Sequence, residues 1–127
     1  MVARTKKTPV PGAPVRGSRS GRPVMALLDL LGRRWTLRVL WELRAEPATF
    51  RELRERCGGL SPTVLNARLQ ELREAGVVEQ SDEVGYHTTA SGKALLEALA
   101  PLDAWAKAWA RRHGPKKPAG ILTSADA

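Results

Sequence analysis

The sequence predicts a mainly α-helical fold with one small β-hairpin, arranged as a winged helix-turn-helix with a further helix at each end. Two helical segments, 49–57 and 61–75, are joined by a short turn, which is the arrangement of a helix-turn-helix. Two strand-like segments, 77–80 and 86–89, follow directly and are separated by the polar turn SDEVG. A helix-turn-helix followed by a hairpin is the order of a winged helix.

Length and composition limit the protein class. A chain of 127 residues that is 43% hydrophobic suits one small domain with a modest core. No stretch approaches the roughly 20 apolar residues of a membrane span, and no apolar segment before Pro23 indicates a secretory signal. Cys57 is the only cysteine, so no intramolecular disulfide can form, and we expect a cytoplasmic protein.

The net charge of +8 is concentrated in the two tails. Residues 1–23 contain six basic and no acidic side chains, and residues 111–127 contain four basic and one acidic. The remaining segment, 24–110, has eleven basic and twelve acidic residues and is therefore nearly neutral. The total charge therefore does not indicate whether the folded part binds nucleic acid.

Composition predicts three regions. Residues 1–22 are rich in Pro, Gly, Ser and basic residues and predict a disordered basic arm. Residues 23–113 form the predicted domain, and 114–127 a flexible tail. The arm is either a salt-sensitive DNA contact, along phosphates or in a minor groove, or a solubilising tail.

The helices that flank the motif are predicted from periodicity and end signals. A short helix over 24–32 is apolar nearly all round and needs a partner surface. The next helix begins near Trp35 and stops before Pro47. Thr49 and Glu52 have the spacing of a capping box at the start of the first motif helix. The last helix, over 90–113, is expected to be interrupted or bent at Pro101.

The helix over 61–75 carries signals at both ends. Ser61 is a favourable N-cap, Pro62 suits the first helical position, and Gly76 suits the left-handed position that ends a helix. Its predicted buried stripe consists of Leu65, Leu69 and Leu72.

The opposite face of this helix carries small and amide side chains where an ordinary surface helix would carry charges. Asn and Gln can pair with adenine edges, and Thr and Ala can contact the thymine methyl, so the face suits the major groove. The helix N-terminus favours a nearby phosphate. The alternative is an ordinary solvated face that lacks charge. The face consists of Ser61, Thr63, Asn66, Ala67 and Gln70.

Three segments together resemble the HxlR-type family of winged helix-turn-helix bacterial transcription regulators, within the MarR-like superfamily. They are LLGRRWTLRVLWEL, FRELRERCGGLSPTVLNARLQELREAGVVE and YHTTASGKALLEAL, which cover most of the predicted domain in the family's order. The resemblance implies a homodimeric DNA-binding regulator, with N- and C-terminal dimerisation helices and the second motif helix in the major groove.

The sequence departs from the family pattern in two places. Family members often carry a sensing cysteine before the first helix, and here the matching pair is Arg22-Pro23, which argues against the usual thiol switch. The wing tip carries Asp82 and Glu83, whose carboxylates repel phosphate, so we expect no important groove contact from the tip.

The candidate DNA-binding residues come from both motif helices. Arg68 lies beside the buried stripe and either binds a phosphate or, as we slightly favour, pairs internally with an acid such as Glu42 or Glu52. The arginines of the first motif helix either contact the DNA backbone or form solvated intrahelical pairs. The candidates are Ser61, Pro62, Thr63, Asn66, Ala67, Gln70, Arg51, Arg54 and Arg68.

Four tryptophans need buried positions. Trp35 and Trp41 are expected in the core. Trp105 and Trp109 are four residues apart and share a helix face, which would be an adhesive patch if exposed. We therefore expect both side chains at the interface of a dimer. The alternative is that this interface also encloses a planar small-molecule effector of unknown identity. The predicted interface residues are Met25, Leu28, Leu102, Trp105 and Trp109.

No pattern indicates catalysis or a cofactor. Cys57 is expected to be an inert small residue, because the C-terminal end of a helix disfavours a thiolate. His87 and His113 lack further ligands at a usable spacing for zinc. No nucleophile–base set or phosphate-binding glycine loop is present.

The expected function is therefore a dimeric transcription regulator, most simply a repressor, that binds an inverted repeat in double-stranded DNA and has no membrane partner. The alternative is a winged-helix protein-interaction module whose basic tails give only non-specific DNA affinity.

Overall fold

The computed structural model describes residues 8–115 of the chain. This part contains five helices and one two-stranded antiparallel sheet, in the predicted winged helix-turn-helix order. The elements are α1 (Pro23–Leu31), α2 (Thr36–Glu42), α3 (Phe50–Arg56), α4 (Pro62–Glu74), β1 (Val78–Ser81), β2 (Gly85–Thr88) and α5 (Ala90–His113).

The core lies where α2 packs against α3 and α4, with the hairpin and the first half of α5 closing its other side. Leucine dominates it because helices with an apolar stripe must bury that stripe against one another. The fully buried large side chains include Val39, Leu40, Leu43, Leu53, Leu65, Leu69, Leu72 and Val78.

Helix α2 ends four residues before the predicted stop, at Glu42. The reason is tertiary: Arg56 of α3 donates from Nη1 to the carbonyl oxygen of Glu42 at 2.9 Å and to that of Glu46 at 3.3 Å. Carbonyls at a helix end need such partners, so the side chain from α3 replaces a further helical turn.

The hairpin pairs with the segment that precedes α3. Ala48 and Tyr86 exchange backbone hydrogen bonds of 3.0 and 2.8 Å, which adds a bridge to the two strands. Gly85 has φ +88°, and a Cβ there would lie 2.6 Å from the Ala48 carbonyl oxygen. Glycine is therefore required where the wing approaches this backbone.

Helix α5 runs through Pro101 as one 24-residue helix, so the predicted interruption is wrong, while the alternative, a bend at Pro101, stays a prediction. Pro101 lacks an N–H, but it lies on an exposed stretch where water can solvate the unmatched carbonyl. In the part of the chain described, no helix combines the length and apolar character needed to cross a membrane.

Residues 8–22, predicted as part of a disordered arm, instead follow a defined turn-rich path. Val15 and Ser18 pair as an isolated bridge, and the Gly12 N–H donates to Gly21 O at 2.9 Å. The Arg16 N–H donates to the Asp29 carboxylate of α1 at 3.2 Å. These hydrogen bonds give backbone N–H and carbonyl groups of the segment partners, although its composition is typical of disorder. The rest of the predicted arm, 1–7, and residues 116–127 of the predicted tail lie outside the described residues.

Candidate nucleic-acid interface

Helix α4 begins and ends as the sequence predicts. The Ser61 hydroxyl accepts a hydrogen bond from the Val64 N–H at 3.2 Å, and Pro62 occupies the first helical position. Gly76 follows the helix at φ +80°. Leu65, Leu69 and Leu72 are each no more than 1% exposed, which confirms the buried stripe. The same geometry leaves the opposite face on the surface.

The exposed face of α4 carries the predicted candidates, with Ala67 half-buried. None of these side chains is charged, so the face presents hydrogen-bond donors, acceptors and methyl groups. Over these residues the face can approach base edges without repelling phosphate, and Glu74, at the C-terminal end of the same face, is exposed. The exposed candidates are Ser61, Pro62, Thr63, Asn66 and Gln70.

Behind this face lies a buried ion-pair cluster that the sequence does not predict. Glu71 of α4 is 5% exposed, and its Oε2 lies 2.8 Å from Nη1 of Arg33 in the α1–α2 loop. Arg68 Nε lies 3.3 Å from the Glu71 Oε1 atom, and Arg68 Nη1 donates to the Arg34 carbonyl oxygen at 3.2 Å. The cluster fixes α4 to the loop between α1 and α2.

The internal role favoured for Arg68 is therefore observed, but with a different partner. Glu42 pairs with Arg38 at 2.7 Å and Glu52 closes the capping box with Thr49, so neither of the two expected acids receives Arg68. The sequence signal that could have indicated the correct partner is Glu71 itself, because this carboxylate lies between two buried leucines of one helix. Burial of such a group requires a cationic partner.

The arginines of α3 differ in their surroundings. The Arg54 Nε donates to the Leu60 carbonyl oxygen at 2.8 Å and so holds the turn between the two motif helices. Arg56 supports the end of α2, as described above. Arg51 is exposed. Of the two predicted α3 contacts, Arg51 is thus the more accessible to DNA.

The wing tip is exposed and acidic. Asp82 and Glu83 are both exposed, and Val84 beside them is 47% exposed. On the strands, His87 Nε2 lies 3.4 Å from the Glu79 carboxylate. Within residues 8–115, no cluster of three or more His, Cys, Asp or Glu side chains is arranged to hold a metal ion.

Exposed apolar side chains lie along the second half of α5, and others lie on α1. Trp105 and Trp109 are 62% and 53% exposed, and their rings stack with centroids 5.9 Å apart. Leu28 and Leu102 are also more than half exposed, whereas Met25 is half-buried. The predicted interface residues are thus largely accessible in the single chain.

A groove of about 440 Å³ adjoins this surface between α2 and α5. Leu37, Trp41, Leu99 and Leu102 supply much of its apolar lining. Trp41 and Trp35, expected in the core, are both half-buried and pack against the core from outside. The Arg44 guanidinium lies 4.2 Å from the centroid of the Trp41 ring, a cation–π contact that favours a half-exposed position.

Cys57 is buried, with 3% of its surface exposed. Burial raises the pKa of its thiol, an effect that the nearby guanidinium of Arg38 partly offsets. A buried neutral thiol is a poor nucleophile, which agrees with the inert role expected from the sequence.

Comparison with known proteins gives consistent results. A family model described as an HxlR-like helix-turn-helix matches residues 30–114. The HTH-type transcriptional regulator YvaP of Bacillus subtilis is 33% identical over 88 residues, covering 65% of this chain and 82% of YvaP.

Two solved structures show the same fold. Quinone-bound YodB from B. subtilis has a TM-score of 0.62 at 32% identity, covering 66% of this chain and 94% of YodB. A protein described as a possible HxlR family transcriptional factor, from Thermoplasma volcanium, has a TM-score of 0.60 at 28% identity, covering 70% of this chain and 85% of that one.

Proposed function

This chain belongs to the HxlR-like helix-turn-helix family, whose matched relatives are transcription regulators, and from that premise we propose that it binds a specific DNA sequence as a homodimer. Each protomer places α4, with its N-cap Ser61, in one major groove of an inverted-repeat operator. Residues 23–113 form the DNA-binding domain, and the protein works in the cytoplasm, where its DNA lies.

The observation that carries this proposal is the contrast between the two sides of α4. One side presents uncharged polar side chains to solvent, including Asn66 and Gln70. The other side is held by three buried leucines and by the Glu71 ion pairs. A helix that reads bases needs both an accessible hydrogen-bonding face and a rigid support.

The exposed apolar side chains of α5 support the homodimer. Trp105, Trp109 and Leu102 lie on one helix and are each more than half exposed, an arrangement that favours burial against a second copy. Two-fold symmetry would place the two α4 helices at half-sites one helical turn apart, roughly 34–36 Å, or a multiple of it. Occupation of an operator that overlaps a promoter excludes polymerase, so we propose repression.

The test is selection of bound duplexes from a random pool at about physiological salt, where phosphate attraction is damped. A recovered palindrome is the expected result, and it supplies the operator and the half-site spacing. A pool without enrichment would contradict the proposal.

The exposed acidic wing tip favours a second candidate, a protein-interaction module with non-specific DNA affinity. Asn66→Ala and Gln70→Ala distinguish the two functions. Both substitutions should abolish base preference if α4 reads DNA, and both should leave binding unchanged in an interaction module. Gln80→Ala, which removes an exposed amide from β1, is the matched control.

A further inference from the structure

The Gln70 side chain is held by a contact that reaches beyond its own helix. Its Nε2 donates to Oε2 of Glu74, one turn later, at 3.0 Å. The second carboxylate oxygen of Glu74, Oε1, accepts a hydrogen bond from the hydroxyl of Thr8. Thr8 belongs to the segment before α1, 66 residues away in the chain. Three side chains from two distant segments thus form one hydrogen-bonded chain.

Glu74 occupies an unfavourable place for a carboxylate. It is the last residue of α4, where the helix dipole disfavours negative charge, and it shares a face with Thr63, Ala67 and Gln70. The hydrogen bond from Thr8, and secondarily that from Gln70, lowers the pKa of the Glu74 carboxyl. The residue is therefore ionised at neutral pH and accepts hydrogen bonds only.

An ionised carboxylate determines which end of the Gln70 amide faces it. It cannot donate, so only the NH₂ end of the amide can turn towards Glu74. The carbonyl oxygen and the second N–H of the amide are left for another partner. Those are the two groups that an amide uses to pair with N6 and N7 of adenine.

The Thr8 contact distinguishes this arrangement from an ordinary pair on a helix surface. A Gln–Glu pair four residues apart contributes only a few tenths of a kcal/mol to a helix and leaves both side chains mobile. Thr8 fixes the carboxylate from outside the helix. The segment that carries Thr8 is itself tied to α1 by the hydrogen bond between Arg16 and Asp29, and Pro9 and Val10 line a cavity with Leu30 and Leu95.

We propose, on the basis of the DNA-reading role given to α4 above, that Glu74 is a positioning residue for base recognition and that the N-terminal segment holds it through Thr8. The segment therefore contributes to sequence discrimination as well as supplying positive charge. Loss of the Thr8 hydroxyl should weaken discrimination at the base pair that Gln70 contacts without altering phosphate attraction.

The test uses the full chain and the operator recovered by selection. Competition binding compares that operator with versions changed at each single base pair, for Thr8→Val, Thr8→Ser, Glu74→Ala, Gln70→Ala and the double variant Thr8→Val/Gln70→Ala. Ser91→Ala, which removes an exposed hydroxyl from α5, is the matched control. Binding to random DNA is measured against salt concentration in parallel.

At the base pair where Gln70→Ala loses preference, Thr8→Val and Glu74→Ala should each lower discrimination roughly three- to tenfold. Thr8→Ser should retain it, because the hydroxyl remains. The double variant should equal Gln70→Ala alone, since Thr8 acts through Gln70. The salt slope of Thr8→Val should equal that of the wild type, because no charge is changed.

One outcome would overturn the inference and leave the proposed function intact. In that outcome, Gln70→Ala loses the base preference, but Thr8→Val and Glu74→Ala both keep that of the wild type. Preference that survives in Gln70→Ala would also overturn it. A wild-type protein without any base preference would refute the proposed function, and the inference would fall with it.

Discussion

Glu71 places a carboxylate between Leu69 and Leu72 on the buried side of α4. Desolvating a carboxylate is expensive, and the cost is offset only where cationic partners approach closely. Arg33 and Arg68 provide those partners at 2.8 and 3.3 Å. At the residue scale, this cluster attaches α4 to the loop between α1 and α2.

Replacement of Glu71 by Ala should therefore lower the free energy of unfolding by about 3 kcal/mol, because it removes the buried carboxylate that the largely buried guanidinium of Arg68 faces. Urea denaturation followed by circular dichroism measures the change. Glu97→Ala, at an exposed position of α5, should change the free energy by less than about 0.5 kcal/mol. A loss below about 1 kcal/mol for Glu71→Ala would show that the cluster does not anchor α4.

Cys57 gives a prediction about reactivity. Because burial keeps the thiol neutral and inaccessible, iodoacetamide should alkylate the folded protein at least roughly tenfold more slowly than the urea-unfolded chain at the same pH. Peroxide should have the same effect on DNA affinity in wild type and in Cys57→Ser. A response confined to the wild type would assign Cys57 a redox role.

At the element scale, the attachment of α5 to the hairpin depends on a close backbone approach. The Thr89 hydroxyl accepts from the Gly92 N–H at 3.0 Å and donates to the Gly76 carbonyl oxygen at 2.7 Å, so one residue caps α5 and ties it to the end of α4. Gly92 is buried, and a Cβ there would lie 2.1 Å from the Val77 carbonyl oxygen. Helix α5 can start at this position only because residue 92 has no side chain.

Gly92→Ala should consequently destabilise the protein by about 1–3 kcal/mol, since the backbone at Val77, just before β1, or the start of α5 must move. Thermal unfolding monitored by circular dichroism tests this. The neighbouring change Ser91→Ala adds no atom at the contact and should shift the unfolding free energy by less than about 0.5 kcal/mol. Equal stability of the two variants would contradict the close approach.

At the scale of the whole molecule, the two halves of α5 differ in how much apolar surface they expose. Its first half packs through Leu96, which is 8% exposed, whereas Trp105 and Trp109 remain largely accessible. The stacked rings shield each other only in part. In the homodimer proposed above, a second protomer buries this surface and supplies a second α4 helix for an inverted repeat.

The double substitution Trp105→Ala/Trp109→Ala should shift the protein from dimer to monomer in sedimentation velocity, because aromatic side chains dominate interface energies. Operator affinity should fall with it, since a monomer binds one half-site. Lys107→Ala, between the two tryptophans in sequence and 71% exposed at its side chain, is the control and should leave the dimer intact. A dimer that survives the double substitution would place the interface elsewhere.

Much of the fold follows from local patterns. Ser61, the Thr49–Glu52 capping box and Gly76 define helix ends through hydrogen bonds and backbone angles that involve only neighbouring residues. The leucine period of α4 determines which side is buried and so which side carries Asn66 and Gln70. These features were predictable because the interactions that produce them lie within one or two helical turns.

The tertiary structure decided what depends on residues far apart in the chain. Arg56 ends α2 from another helix, Glu71 finds Arg33 38 residues away, and Thr8 reaches Glu74 across 66 residues. No periodicity encodes such pairings, because they exist only once packing has brought the segments together. The sequence by itself therefore determined the helix order and the face of α4, whereas tertiary packing decided what holds that face in position.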